Sequence, residues 1–415
     1  MRTTIIYYLR MAAIGAMLAT MPLPIKINNY SIIFAALVAI FTYHWKDLRK
    51  DLTSYGSILL PALIFAVTLA GMLYTSDMPN GWSLVERSTS LIGLPVLVLL
   101  LYDGRRKTRD SLFRVFEAAC FIFFVYCIYI ACTNVIATGS LYNPEKIESV
   151  TDRRYYYFLN VELLEPVGIS PIYLGMYINM CIVFSAVRLF VDRNISVLNI
   201  TCLVLFSGFQ LMIGSLNSIV VMGLIWVIVL LYGQIRNKSL HSRTLIYVAV
   251  PLIVIAATIV SIRPIRQRFI VKTEYQYEWD HIGYWNGITF RLAIWSCAID
   301  VIKDNALTGV GTGDADTALR EKYKERNFFF GVSENFNSHN QYMQTWIMHG
   351  IFGLLTLIFV VLTPFQLAWR QRDIILAMFG LVIAIAFCTE VTIGTQKGIA
   401  FFSLFFALLS RRLSD

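Results

Sequence analysis

Charged residues are scarce in this chain. Asp, Glu, Lys and Arg make up 15% of its 415 residues, where a soluble domain carries about a quarter. With 57% hydrophobic residues and a mean hydropathy of +0.63, that shortfall points away from a soluble protein. Cysteine is sparse and unpatterned. Cys120, Cys127, Cys132, Cys181, Cys202 and Cys388 lie in apolar runs and Cys297 alone in a polar interval, so neither a disulfide framework nor metal-type spacing exists. No internal repeat is evident, and the larger polar segments fall at irregular positions, which argues against a transporter built from two symmetric halves. No small-residue cleavage site follows Ile5–Pro22, so that stretch reads as a retained first span.

Long apolar runs fill the space these absences leave. A membrane-crossing helix needs about 20 apolar residues. Twelve stretches fit that template: 5–22, 30–45, 54–74, 88–102, 112–136, 168–190, 197–213, 217–234, 244–262, 340–367, 374–390 and 397–410, the fourth and seventh being short. The fold class is therefore an all-α integral membrane protein of about twelve transmembrane helices. Its sections are a nine-helix membrane part (1–262), a large polar loop (263–338) and three final helices (339–415).

The formal charge of +9 suggests nucleic acid at first sight, but the basic residues sit in short loops between spans. Lys46, Arg49 and Lys50, then Arg105, Arg106, Lys107 and Arg109, Arg188 and Arg193, Arg236, Lys238 and Arg243, and Arg370 and Arg372 all follow even-numbered spans, and Arg411 and Arg412 close the chain. The positive-inside rule puts those loops and both termini in the cytoplasm. The opposite side receives three larger segments: Thr75–Arg87; Gly139–Val167, tyrosine-rich and holding Arg153 and Arg154; and Arg263–Ser338. Long polar intervals of ordinary complexity are usually functional.

Within the last segment Thr289 is placed to cap a helix over Phe290–Asp304, with Leu292, Trp295, Ile299 and Ile302 as its apolar stripe. Arg291 lies beside that stripe, where an arginine ordinarily snorkels into solvent. Gly309-Val-Gly-Thr-Gly-Asp314 follows. Its glycines allow a tight turn or close approach of backbone amides to a ligand, and because no strand precedes it, Rossmann and P-loop readings fail. Ser338-His-Asn-Gln341 fits a capping box and places His339 and Asn340 in the first turn of the tenth span. A helix start there favours an anion and a neutral, proton-accepting His339, although on sequence alone a simple polar cap is the more common explanation of a histidine there. His349 lies deeper and reads as an interhelical hydrogen bonder. Arg263, Arg266 and Arg268 break the charge rule by clustering on the outer side. At headgroup depth they suit a lipid pyrophosphate, or a bend after Pro264 touching anionic lipid. The loop as a whole balances ten basic against ten acidic residues, so any anion site arises from local clustering.

These residues resemble the O-antigen ligase and polymerase superfamily of bacterial inner-membrane glycosyltransferases. His339-Asn340, nine residues, then Gly350-x-x-Gly353 is similar to the family's ligase motif. Arg291-x-x-x-Trp295 followed by Gly309-Val-Gly-Thr-Gly resembles the start of its catalytic loop, with the arginine about fifty residues before the histidine. The specific likeness covers Thr289–Gly353; Pro171-Ile-Tyr-Leu-Gly-Met-Tyr177 and Glu86-Arg87 resemble weaker features. One departure matters. Many members carry a Ser-Arg or Ser-Lys pair where this chain has Gly214-Ser-Leu-Asn217, so either Arg263, Arg266, Arg268 or Arg153 supplies a second cationic contact or the substrate is held differently.

The resemblance implies a lipid-linked-oligosaccharide-dependent glycosyltransferase of lipopolysaccharide biosynthesis, with its active loop periplasmic before helix 10. It would move a glycan from undecaprenyl pyrophosphate to a sugar hydroxyl of lipid A–core, without metal or cofactor. His339 would then activate the acceptor hydroxyl. Arg291, with the Arg266 cluster, would stabilise the leaving pyrophosphate. Asn340, Gly311, Gly313 and Asp314 would shape the substrate site. A repeat-unit polymerase and a protein O-glycan transferase share this donor and chemistry and differ in acceptor. A twelve-span polysaccharide or lipid transporter is the remote alternative. It calls for charges buried in mid-span and a small outer loop.

Overall fold

The computed structural model describes residues 2–144, 146, 156–238, scattered helical positions between 249 and 261, and 287–413. Every regular element among them is helical. Helices α1 (Arg2–Ala19) and α2 (Ile25–Thr42) form a hairpin; α3 (Leu48–Tyr55) leads into α4 (Ala62–Gly71). Then come α5 (Met78–Ser88), α6 (Ser90–Leu101), α7 (Arg106–Thr138), α8 (Asn160–Leu164), α9 (Pro171–Ala186), α10 (Val197–Ile213) and α11 (Leu216–Arg236). The polar segment contributes α12 (Thr289–Asp304), α13 (Ala315–Glu325) and α14 (Phe329–Glu334), before α15 (Gln341–Gln371), α16 (Ile374–Phe387) and α17 (Gln396–Ser410). Six of the helices present are long and apolar enough to cross a membrane. They become seven if the bent stretch running through α3 and α4 (71°) is one span, and four shorter apolar helices accompany them. The expectation of twelve spans thus meets a coarser finding, a multi-pass helical membrane protein.

The segment Thr75–Arg87, expected to be an outer loop, is mostly helix. Asp77 accepts a hydrogen bond from the Asn80 amide (3.1 Å) and Pro79 stands in the first turn. These are start signals that hydropathy does not weigh, so α5 and α6 together make one candidate span, Met78–Leu101.

Helix α9 is the hub. Nearly every side chain from Tyr173 to Val187 is buried, as expected of a helix that is apolar all round. Phe184 stacks on Phe113 of α7 at 3.9 Å between ring centres, and Phe405 of α17 packs edge-on to Phe116 at 5.1 Å. Aromatic pairs add about 0.5–1.5 kcal/mol each beyond area burial, which favours one register of the central helices.

Contacts sort the connections onto two ends of the bundle. At one end Arg106 pairs with Asp192 (3.1 Å), Arg109 with Asp373, and Arg411 donates to the Leu99 carbonyl (3.3 Å). These are the basic loops following even-numbered spans. At the other end Lys397 donates to the Leu23 carbonyl (2.9 Å), Arg87 to the Gly394 carbonyl (2.9 Å), and Arg291 of α12 reaches the α16–α17 turn. Residues at the start of α7 and just after α9, α15 and α17 thus meet at one end of the bundle.

Candidate functional site

Helix α12 starts at Thr289, one residue after its cap, and buries a face one step away from the expected stripe. Ala293, Ile294, Cys297, Ala298, Val301 and Ile302 are buried, whereas Leu292 and Ile299 are exposed. Packing against α13 and α15, the small residues Ala293 and Ala298 allow close approach, so volume rather than hydrophobicity selects the inner face. That rotation aims Arg291 at the α16–α17 turn. Its Nε donates to the Thr389 carbonyl (3.3 Å) and its Nη1 to the Gly287 carbonyl, and its Cζ lies 4.9 Å from the centre of the Phe290 ring. Burial lowers the Arg291 pKa, and the nearby Glu390 carboxylate opposes that shift; the guanidinium remains charged at any working pH.

His339 is on the same Phe290 ring, edge-on with 5.4 Å between ring centres, and meets Phe336 at 5.5 Å. The expected capping box does not form. The helix begins at Gln341, and its cap is Asn340, whose Oδ1 accepts from the Met343 amide (3.1 Å). His339 therefore precedes the helix, with φ of +44°, a conformation costly for a residue with a Cβ. Neighbours hold it there. Its amide donates to Asn337 Oδ1 (2.9 Å), the Ser338 amide to Gln344 Oε1 (3.0 Å), Ser338 Oγ to the Asn340 carbonyl (2.8 Å), and Trp295 Nε1 to the Ser338 carbonyl (3.1 Å). Trp295, part of the arginine motif, thus braces the histidine turn directly.

Glu390 completes the cluster, and sequence reasoning missed it. Its Oε2 lies 3.5 Å from His339 Nδ1, and the side chains are 13% and 19% exposed. At that separation no hydrogen bond is formed, and His339 Nδ1 is buried without a hydrogen-bond partner among the described residues. The sequence held one usable signal, a lone carboxylate at the end of an apolar run, but α16 ends at Phe387 and leaves Glu390 in the turn. Asn217, in the stretch that departs from the family pattern, reaches the same turn. Its Nδ2 donates to the Ile385 carbonyl (3.2 Å) and to Thr389 Oγ1.

The glycine turn is built into the helix that follows the histidine. Gly350 has φ of +63° and ψ of −162°, breaking α15. The amides of Val310 and Gly311 cap the freed carbonyls of Ile347 (2.8 Å) and Met348 (3.0 Å), and the Ile351 amide donates to the Ala306 carbonyl (2.9 Å). A Cβ on Gly350 would stand 2.0 Å from the Leu307 oxygen, and one on Gly309 2.5 Å from the Met348 backbone. His349, expected to bond another span, instead pairs its Nε2 with Thr312 Oγ1 (3.1 Å) of that turn.

Gly311, Gly313 and Asp314 face α5. Cβ atoms on the two glycines would meet Thr75 Oγ1 at 2.6 Å and the Asp77 carbonyl at 2.1 Å, while Asp314 accepts the amides of Ser76 (2.7 Å) and Asp77 (2.8 Å). Their observed partners are protein groups. His339, Arg291 and Asn340 come together, and the turn packs farther along α15, at Ile347–Ile351. Arg153, Arg263, Arg266 and Arg268 lie outside the described residues.

Comparison with known proteins agrees with the motif reading. Residues 201–358 match the family described as O-Antigen ligase, a likeness that supports an O-antigen ligase-like relationship for this multi-pass helical chain. An uncharacterized protein of Haemophilus influenzae is 32% identical over 75 residues, 18% of this chain and 18% of that protein. The shared stretch is thus less than a fifth of that relative's length.

Proposed function

We propose that the protein transfers a glycan from undecaprenyl pyrophosphate to a sugar hydroxyl of lipid A–core, at the periplasmic face of a bacterial inner membrane. The convergence of His339 and Arg291 on Phe290 and Glu390 carries this reading, because transfer needs a proton acceptor and an anion stabiliser within reach of one bond. With Nδ1 turned toward Glu390, the imidazole offers Nε2 to the acceptor hydroxyl. It takes the proton as the oxygen attacks the anomeric carbon, and Glu390 balances the charge that appears on the ring. The bond to the pyrophosphate oxygen breaks, and the Arg291 fork takes up the charge on the departing phosphate. Arg263, Arg266, Arg268 and Arg153 are the candidates for the second cationic contact, and no metal is required by this scheme. Asn340 spends its side-chain oxygen on the helix cap, which leaves its amide NH2 for a sugar.

In the same reading the basic loops and both termini are cytoplasmic and the chain crosses the membrane twelve times. The test is glycan analysis in cells lacking the native protein and carrying His339→Ala or Arg291→Ala at normal abundance. Long chains stranded on the carrier are the expected result. Single repeats capped on core would make the protein a polymerase, and unchanged glycan would remove both residues from the chemistry.

A further inference from the structure

Beside the catalytic cluster, on the same end of the bundle, lies a polar cleft of about 350 Å³, near the lower bound for small-molecule sites. Asp77 of α5, Asp316, Arg320, Glu321 and Lys324 of α13, and Asn335 form its walls. No aromatic or aliphatic residue lines it, which disfavours a lipid tail. Three carboxylates against two cations disfavour a pyrophosphate. What such walls suit is a neutral ligand rich in hydroxyls, each able to donate to a carboxylate and accept from a guanidinium or ammonium.

The walls also have unused capacity. Arg320, Glu321 and Lys324 are exposed, and their side chains make no hydrogen bond or ion pair among the described residues. Asp316, by contrast, is partly buried, and its Oδ1 accepts from Gln344 Nε2 (3.3 Å). Gln344 Oε1 in turn accepts the Ser338 amide (3.0 Å), one residue before His339. A single side chain therefore joins the cleft floor to the turn carrying the proposed base, and Asn335 lies four residues upstream of that base.

We propose that this cleft is a glycan subsite, which takes neutral sugar units of the donor or acceptor and so sets the position of the chain entering the catalytic cluster. The proposal deepens the transfer reading and rests on it. It is tested with full-length protein in lipid nanodiscs, using Arg320→Ala and Glu321→Ala, whose side chains hold no other part of the protein. In transfer assays each variant should raise KM about 10-fold, the loss expected for one charge-assisted hydrogen bond, with kcat kept. A change in donor KM assigns the cleft to the donor glycan and a change in acceptor KM to the acceptor. A second arm separates binding from chemistry. Oligosaccharides released by mild acid from donor and acceptor lipids are titrated by saturation-transfer NMR against His339→Ala protein, with and without the two cleft substitutions. Binding that the substitutions abolish supports the subsite even if His339→Ala retains activity and the transfer reading falls. KM values within twofold of the parent, or binding indifferent to the substitutions, overturn it.

Discussion

Glu390 Oε2 lies 3.5 Å from Nδ1 of His339, across the gap between the α16–α17 turn and the residue before α15. The two are 51 positions apart (390 − 339), and Phe290 and Phe336 close around the imidazole. A carboxylate on one ring nitrogen settles which nitrogen is free for substrate. Glu390→Gln keeps the shape and removes the charge. We expect kcat to fall about 100-fold, at the low end of what general acid–base catalysis contributes, with KM little changed. A rate within twofold of the parent in a nanodisc transfer assay would take Glu390 out of the mechanism.

Arg291→Lys tests geometry apart from charge. Lysine retains the cation but cannot hold the Thr389 carbonyl while presenting a planar fork to a phosphate. A loss of about 1.5–3 kcal/mol appears as a fall in kcat of roughly 10- to 100-fold. Full activity in the lysine variant would mean that only charge matters at this position.

Gly350→Ala is expected to act on folding. The residue occupies a backbone region that is essentially glycine's, costing about 1–3 kcal/mol for others, and the new methyl would overlap the Leu307 carbonyl. Abundance in the membrane and the unfolding midpoint in detergent should both drop. Gly353→Ala, whose Cβ would meet only the His349 side chain closer than 3 Å, should be milder. Equal midpoints for Gly350→Ala and the parent would contradict the broken-helix geometry.

Asp316 supplies a pH test. Burial raises its pKa, and the Gln344 amide partly offsets this. A carboxyl raised in the fold binds its proton more tightly there than in the unfolded chain. Its contribution therefore favours the fold at low pH and declines as pH rises from the ordinary aspartate value of about 3.9 through the raised one. Asp316→Asn keeps an acceptor for Gln344 and removes that decline. Its unfolding midpoint relative to the parent should rise across the window and remain higher at neutral pH; a constant difference would contradict the assignment.

The motif residues were legible because their chemistry depends on residue type and spacing: His339, Arg291 and Trp295 stand where the pattern places them and converge. What escaped depended on three dimensions. The inner face of α12 is set by the small volumes of Ala293 and Ala298 rather than by Leu292 and Ile299, so counting apolar positions selects a neighbouring stripe. Glu390 sits in a run that hydropathy assigns to a membrane span, and only the end of α16 at Phe387 turns it toward the histidine. Ser338 looks like a cap, but its Oγ donates to the Asn340 carbonyl and the role passes to Asn340. The sequence leaves the glycines of 309–313 open between a tight turn and a ligand contact, and in the fold they accommodate neighbouring backbone.

The seam between residues 306–311 and 347–351 bears on the order of synthesis. The ribosome makes the first strip about forty residues before the second (347 − 306), and the Ile347 and Met348 carbonyls that receive its amides emerge last. Until the later helix is made, residues 306–311 lack the backbone partners that hold them in the finished fold. A nascent chain that stalls before Ile351 would be anchored in the membrane yet have no assembled centre, so competence arrives with the final helices rather than with the loop itself.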